Sequence, residues 1–139
     1  MSDTAIEKTI HLKSPIEKVW AFLTTPDKLA RWFHETDQPL DKAGVDFIWL
    51  RHDTDAGDRK LMWGRVLEAD APNRLVHTFT HQWIDGMETT VTWELTAIGD
   101  GTRLKLTHEG LDQRENPIEE LGSHDKGWDA HLYRLRDII

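Results

Sequence analysis

The spacing of hydrophobic residues changes along the chain, and each change predicts a different element. In Ala5–Leu12, Ile6, Ile10 and Leu12 fall on alternate positions, which is typical of a half-buried strand. Residues 14–17, Ser-Pro-Ile-Glu, then form a capping-box pattern at the start of a run with helical spacing. A threonine and a proline at positions 25 and 26 repeat this pattern. We therefore predict one strand followed by two short helices.

From residue 44 to residue 109, hydrophobic residues recur at every second position. Short turns rich in Gly, Asp, Asn and Pro separate the runs, which predicts an antiparallel meander with one dry and one wet face. The five predicted strands are Val45–Arg51, Lys60–Ala69, Arg74–Gln82, Glu88–Thr96 and Thr102–Glu109.

A long helix is predicted at the end of the chain. A cap, a proline and an acid at residues 116–119 indicate a helical turn, and a second helix is expected from about His124 onward. Its apolar stripe contains Trp128, Leu132, Leu135 and Ile139 and fits the dry face of the sheet. The predicted fold class is thus α+β, and we expect a cavity where the curved sheet surrounds the helix.

Composition limits the class of protein. The chain has 139 residues, no cysteine and a net charge of −8, from 17 basic and 25 acidic side chains. Without a cluster of Lys and Arg, nucleic acid and anionic membranes are poor partners, and no apolar run is long enough for a membrane span. We expect one cytoplasmic domain over residues 1–139, monomeric or homodimeric, with no signal peptide.

Seven tryptophans are unusual in so short a chain. Tryptophan is large and carries one N–H donor, so either the core is built from large side chains or part of it is hollow. Trp20 and Trp32 are assigned to the helix pair as packing residues. The others are candidate cavity walls, with simple core packing as the alternative: Trp49, Trp63, Trp83, Trp93 and Trp128.

Several motifs in order along the chain resemble the START-like, or SRPBCC, superfamily of helix-grip proteins. They include Ser14-Pro15 with Val19-Trp20, residues 64–68 (Gly-Arg-Val-Leu-Glu), and His124 with Gly127-Trp128. Within the superfamily, the chain is similar to the family named for the activator of the heat-shock protein 90 ATPase. The resemblance implies a ligand cavity between sheet and C-terminal helix. It also implies widely differing functions, among them ligand carriers, polyketide cyclases and a co-chaperone with a chaperone partner.

Histidines on alternate strand positions are the candidate polar groups of that cavity. His77, Phe79 and His81 share one face of their strand, and His108 follows the same alternation on another. His77 and His81 lie about 13 Å apart along the strand, so they cannot share a metal ion, although they could contact two ends of one ligand. The alternative is that these imidazoles are hydrogen-bonded core or edge residues. With Leu132 on the helix, they complete the predicted ligand-binding set.

No motif in the sequence indicates a cofactor, a metal site or a catalytic mechanism. Asp53, Asp55 and Asp58 do not match a calcium loop, because its required glycine and glutamate are missing. We therefore predict a module that binds a small lipophilic or aromatic molecule. A cyclase-type, aromatase-type or hydrolase-like enzyme with His77, His81 or His108 as acid or base is the first alternative. A co-chaperone that activates a chaperone ATPase is the second.

Overall fold

Alternating strands and amphipathic helices form the fold that the hydrophobic periods predict. The computed structural model describes residues 4–51 and 59–139, so Asp53, Asp55 and Asp58 lie outside the described residues. The elements are β1 (Ile6–Leu12), α1 (Ile16–Thr24), α2 (Pro26–Trp32), β2 (Asp46–Arg51), β3 (Arg59–Asp70), β4 (Arg74–His81), β5 (Thr89–Ile98), β6 (Gly101–Glu109) and α3 (Pro117–Ile138).

The strands of the described residues make one six-stranded antiparallel sheet in the order β1-β6-β5-β4-β3-β2. Strands β2 to β6 are the predicted meander, and β1 joins its far edge with Ile6 opposite His108. Irregular register occurs between Trp49 and Leu50 and between Val66 and Glu68, and such bulges increase the local bend of a sheet. The predicted helix-grip architecture is confirmed.

Helix α3 is longer than predicted. It begins at Pro117, because the helical turn expected at residues 116–119 continues into the last helix without a break. Trp128, Leu132 and Leu135 are buried, as the predicted stripe requires. Lys8 of β1 forms ion pairs of 2.7 and 2.9 Å with two aspartates on the helix. No helix in the described part of the chain is long and apolar enough to cross a membrane.

The predicted capping box at Ser14 is wrong. Residue Pro15 occupies the N-cap position of α1, and no side chain caps the helix. The Ser14 hydroxyl instead donates to the carbonyl oxygen of Ile139 at 2.6 Å, while the Thr102 hydroxyl donates to the Ser14 carbonyl at 2.9 Å. Ser14 therefore joins the start of α1 to β6 and to the end of α3.

Candidate functional site

The inward face of β4 carries the candidate histidines into the interface between sheet and α3. His77, Phe79 and His81 are all buried, which agrees with the face predicted from the alternation. The interface contains further aromatic rings from β2, β5 and α3, and we describe its histidines in turn because their hydrogen-bond partners differ.

Both ring nitrogens of His77 have hydrogen-bond partners. Its Nδ1 lies 2.9 Å from the carbonyl oxygen of Thr78, which can only accept, so Nδ1 carries the hydrogen. Its Nε2 accepts a hydrogen bond of 3.0 Å from the indole N–H of Trp93. Burial lowers the pKa of His77 to about 4, so the ring is neutral at neutral pH. For His77 the structure therefore matches the alternative of a hydrogen-bonded core residue.

His108 is paired in the same manner. Its Nδ1 accepts a hydrogen bond of 3.0 Å from the indole N–H of Trp128, and its Nε2 contacts the Thr89 hydroxyl at 2.8 Å. That hydroxyl donates to the Phe79 carbonyl at 2.5 Å, so Nε2 of His108 carries the hydrogen. Burial, followed by the nearby His124, His77 and His81, holds the pKa of His108 well below its usual range. His108 thus closes a network that links three strands to α3.

Large aromatic rings fill the interface around the His77–Trp93 and His108–Trp128 pairs. This inner part of the interface is therefore not an open cavity of the kind expected from the sequence. The enclosed space is about 10 Å³, roughly room for one water molecule. Phe33 lies nearly parallel to Trp128 at 5.5 Å, and Trp93 meets Trp128 edge-on at 5.6 Å. The residues around this space are Leu23, Leu29, Trp32, Phe33, Leu40, Trp49, His77, Trp93 and Trp128.

The end of the interface at the last residue of β4 is organised differently. His81 Nε2 lies 3.0 Å from Nε2 of His124 on α3, and His124 Nδ1 lies 2.7 Å from the Glu120 carbonyl one turn earlier. His81 is 9% exposed, yet its Nδ1 has no hydrogen-bond partner within the described part of the chain. Burial, followed by the electrostatic influence of the nearby His124 and Arg114, lowers the pKa of His81 to about 4.

Three predicted site residues lie away from the inner interface. Trp63 pairs with Thr80 and lines an open groove of about 390 Å³ together with Gly64, Arg65 and Thr78. Trp83 is 59% exposed, because it follows β4 in a short 3-10 turn, but its ring lies 5.6 Å from that of His81. Leu132 is buried and borders a different groove, between β1 and α3. Trp63 therefore lies on the outer surface of the sheet and Trp83 at the rim of the interface, and neither lines its centre.

Two polar residues of the interface were missing from the predicted set, His124 and Thr89. For His124 a signal was present: it precedes Trp128 by four residues, so both face the sheet from the same side of α3. Thr89 lies at the start of a predicted strand, and no local sequence pattern distinguishes it from other threonines in strands. Among the described residues, no group of three or more His, Asp or Glu side chains is arranged to hold a metal ion.

Solved structures share this fold. CalU16 from Micromonospora echinospora is 26% identical with a TM-score of 0.75, and the match covers 94% of this chain and 73% of CalU16. DynU16, from the dynemicin biosynthetic locus, is 21% identical with a TM-score of 0.81; it matches 98% of this chain, which spans only 47% of DynU16. The HSP90 activator PFC0360w from Plasmodium falciparum is 22% identical over 96% of this chain and 94% of its own, with a TM-score of 0.72.

A comparison with curated proteins found no match. The family model described as "Activator of Hsp90 ATPase homolog 1-like protein" matches residues 13–139, which is nearly the whole chain. This match and the helix-grip architecture confirm the resemblance drawn from the motifs. The chain belongs to the Activator of Hsp90 ATPase homolog 1-like family.

Proposed function

We propose that the protein binds a small aromatic or hydrophobic molecule at the His81 end of the interface between sheet and α3. The observation that carries this proposal is the buried Nδ1 of His81, which has no partner among the described residues. Buried polar atoms are nearly always hydrogen-bonded, and ligand sites combine an apolar lining with a few polar groups, so an unpaired imidazole nitrogen beside an exposed indole supports a ligand site here.

The surroundings of His81 support a flat apolar ligand. Phe79 contacts the rings of His81, His108 and His124 at centroid distances of 5.8, 5.0 and 6.3 Å, and Trp83 provides an exposed indole beside them. The inner part of the interface is filled by its own rings, so we place the ligand at this end, against Trp83.

Native mass spectrometry of the protein as purified, combined with calorimetric titration of aromatic and aliphatic compounds, tests the proposal. We expect aromatic compounds to bind, and Trp83→Ala to weaken their binding about fivefold, since one aromatic contact contributes about 1 kcal/mol. Trp63→Ala is the matched control, because Trp63 lies in the outer groove. If no compound is carried or bound, the proposal is wrong, and conversion of a bound compound would identify an enzyme.

Activation of a chaperone ATPase is the second candidate function. The family description favours it, and the similar PFC0360w is an HSP90 activator. The test is the ATPase rate of an HSP90-type chaperone with and without this protein, in the absence of any small molecule. An increase that Trp83→Ala leaves unchanged would separate this function from ligand binding.

A further inference from the structure

The histidine pair at the end of β4 indicates which chemical group the ligand presents, an inference that rests on the proposed function. We propose that His81 Nδ1 accepts a hydrogen bond from the hydroxyl of an uncharged, flat aromatic ligand of the phenol class. In this proposal His124 is a positioning residue that holds His81 in the required tautomer.

The tautomer of His124 follows from its backbone contact. Its Nδ1 lies 2.7 Å from the carbonyl oxygen of Glu120, and a carbonyl oxygen can only accept, so Nδ1 carries a hydrogen. In the neutral form of His124 the imidazole has this one N–H, and its Nε2 is then a bare acceptor. This acceptor is directed at β4 from the helix.

The tautomer of His81 follows from that of His124. The two Nε2 atoms are 3.0 Å apart, so His81 must supply the hydrogen between them. The ring planes differ by only 17° and the centroids are 5.2 Å apart, which places the rings edge to edge along the hydrogen bond. With its one hydrogen on Nε2, neutral His81 presents Nδ1 as a buried acceptor, and the described residues supply no donor to it.

The surroundings of His81 keep its ring neutral, so that its Nδ1 can act as an acceptor. Burial, followed by the nearby His124 on α3 and Arg114 before α3, opposes protonation of its ring. The Arg114 guanidinium is already engaged, with Asp85 at 2.7 Å and Glu120 at 3.8 Å. A carboxylate has no hydrogen to donate to Nδ1, whereas a phenol has one.

The aromatic neighbours define the rest of the ligand. Phe79 and Trp83 lie 5.8 and 5.6 Å from the His81 ring, and the Trp83 indole is exposed. A planar ring stacked on Trp83 with its hydroxyl toward His81 uses both features. A ligand without the hydroxyl leaves Nδ1 unpaired, and sites built around a hydrogen bond discriminate strongly against such analogues.

Calorimetric titration with naphthol, methoxynaphthalene and naphthoate, substituted at the same ring carbon, tests the inference at pH 7. We expect naphthol to bind about tenfold more tightly than its ether, because only naphthol donates a hydrogen bond to the buried acceptor, and naphthoate to bind more weakly than naphthol. Equal affinity for naphthol and the ether, or tighter binding of naphthoate, would overturn the inference but leave the proposed function intact. If none of the three binds, the inference is wrong, and the wider set of aromatic and aliphatic compounds decides the proposed function.

Substitutions of His124 test its positioning role. His124→Leu removes the acceptor that holds the hydrogen on His81 Nε2, so we expect the preference for naphthol over the ether to disappear. His124→Gln offers a carbonyl oxygen in its place and should retain most of the preference. The exposed His11, in His11→Leu, is the control. If the Leu and Gln variants keep or lose the preference together while remaining folded, His124 does not set the tautomer.

Discussion

The two ends of the interface between sheet and α3 contain the same residue types but differ in how the nitrogens of their histidines are paired. At the inner end, Trp93 donates to His77 and Trp128 donates to His108, and both nitrogens of each imidazole have a partner. At the outer end, His81 pairs only with His124, and its Nδ1 has no partner among the described residues.

This difference separates a structural histidine from a candidate binding histidine. An imidazole whose acceptor nitrogen is occupied by an indole N–H lets a tryptophan be buried without an unpaired donor, and it has no capacity left for a ligand. At the inner end this pairing explains how Trp93 and Trp128 are buried, whereas the buried indole N–H of Trp49 has no partner among the described residues. The outer end retains one unpaired acceptor, His81 Nδ1, beside the exposed indole of Trp83 at the end of β4.

The largest expected effect on stability is at the inner end. Trp128→Ala removes the ring that packs against Phe33 and Trp93, and it also takes away the donor to His108. We expect a loss of about 3–5 kcal/mol in the free energy of unfolding, measured by urea denaturation. Trp83→Ala is the control and should change stability by less than about 0.5 kcal/mol, since its ring is mostly exposed. A small loss for Trp128→Ala would indicate free space around that ring.

The next effect is a pH dependence of stability. Burial lowers the folded-state pKa of His77 to about 4, below the unfolded value of about 6.5, so between these values the unfolded chain binds more protons. Stability is therefore lost as pH falls through this window, by up to about 1.4 kcal/mol per pH unit for each such histidine. Urea denaturation at several pH values should show a smaller slope in His77→Gln. An unchanged slope would mean that His77 is not buried in the neutral form.

The sequence predicts which residues face the interface but not how they are paired. Period-two spacing places His77 and His81 on the inward face of β4, and helical spacing places Trp128 and Leu132 on one side of α3. The partners of the two histidines are Trp93, on the next strand, and His124, which is 43 residues away. Such pairings depend on strand register and on the rotation of α3, and neither is visible in a local pattern.

The local sequence pattern also does not show two further features of the structure, the role of Ser14 and the amount of space between sheet and helix. The residues around Ser14 match a capping box, but its hydroxyl bonds a carbonyl 125 residues away. The cavity was inferred from the shape of a sheet that surrounds a helix. Whether that space is empty depends on the orientation of rings such as Phe33 and Trp128, which tertiary packing determines.

The smallest expected effect gives the most direct comparison of the two ends. His77→Leu leaves the buried Trp93 N–H without its acceptor, so we expect a loss of about 1–3 kcal/mol in the free energy of unfolding. His81→Leu removes a nitrogen that is already unpaired, and its partner His124 lies only partly buried, so stability at pH 7 should stay within about 0.5 kcal/mol of the unmodified protein or increase. Urea denaturation of both variants measures the difference. Equal losses would mean that His81 is as much a structural residue as His77, and the contrast between the two ends would no longer hold.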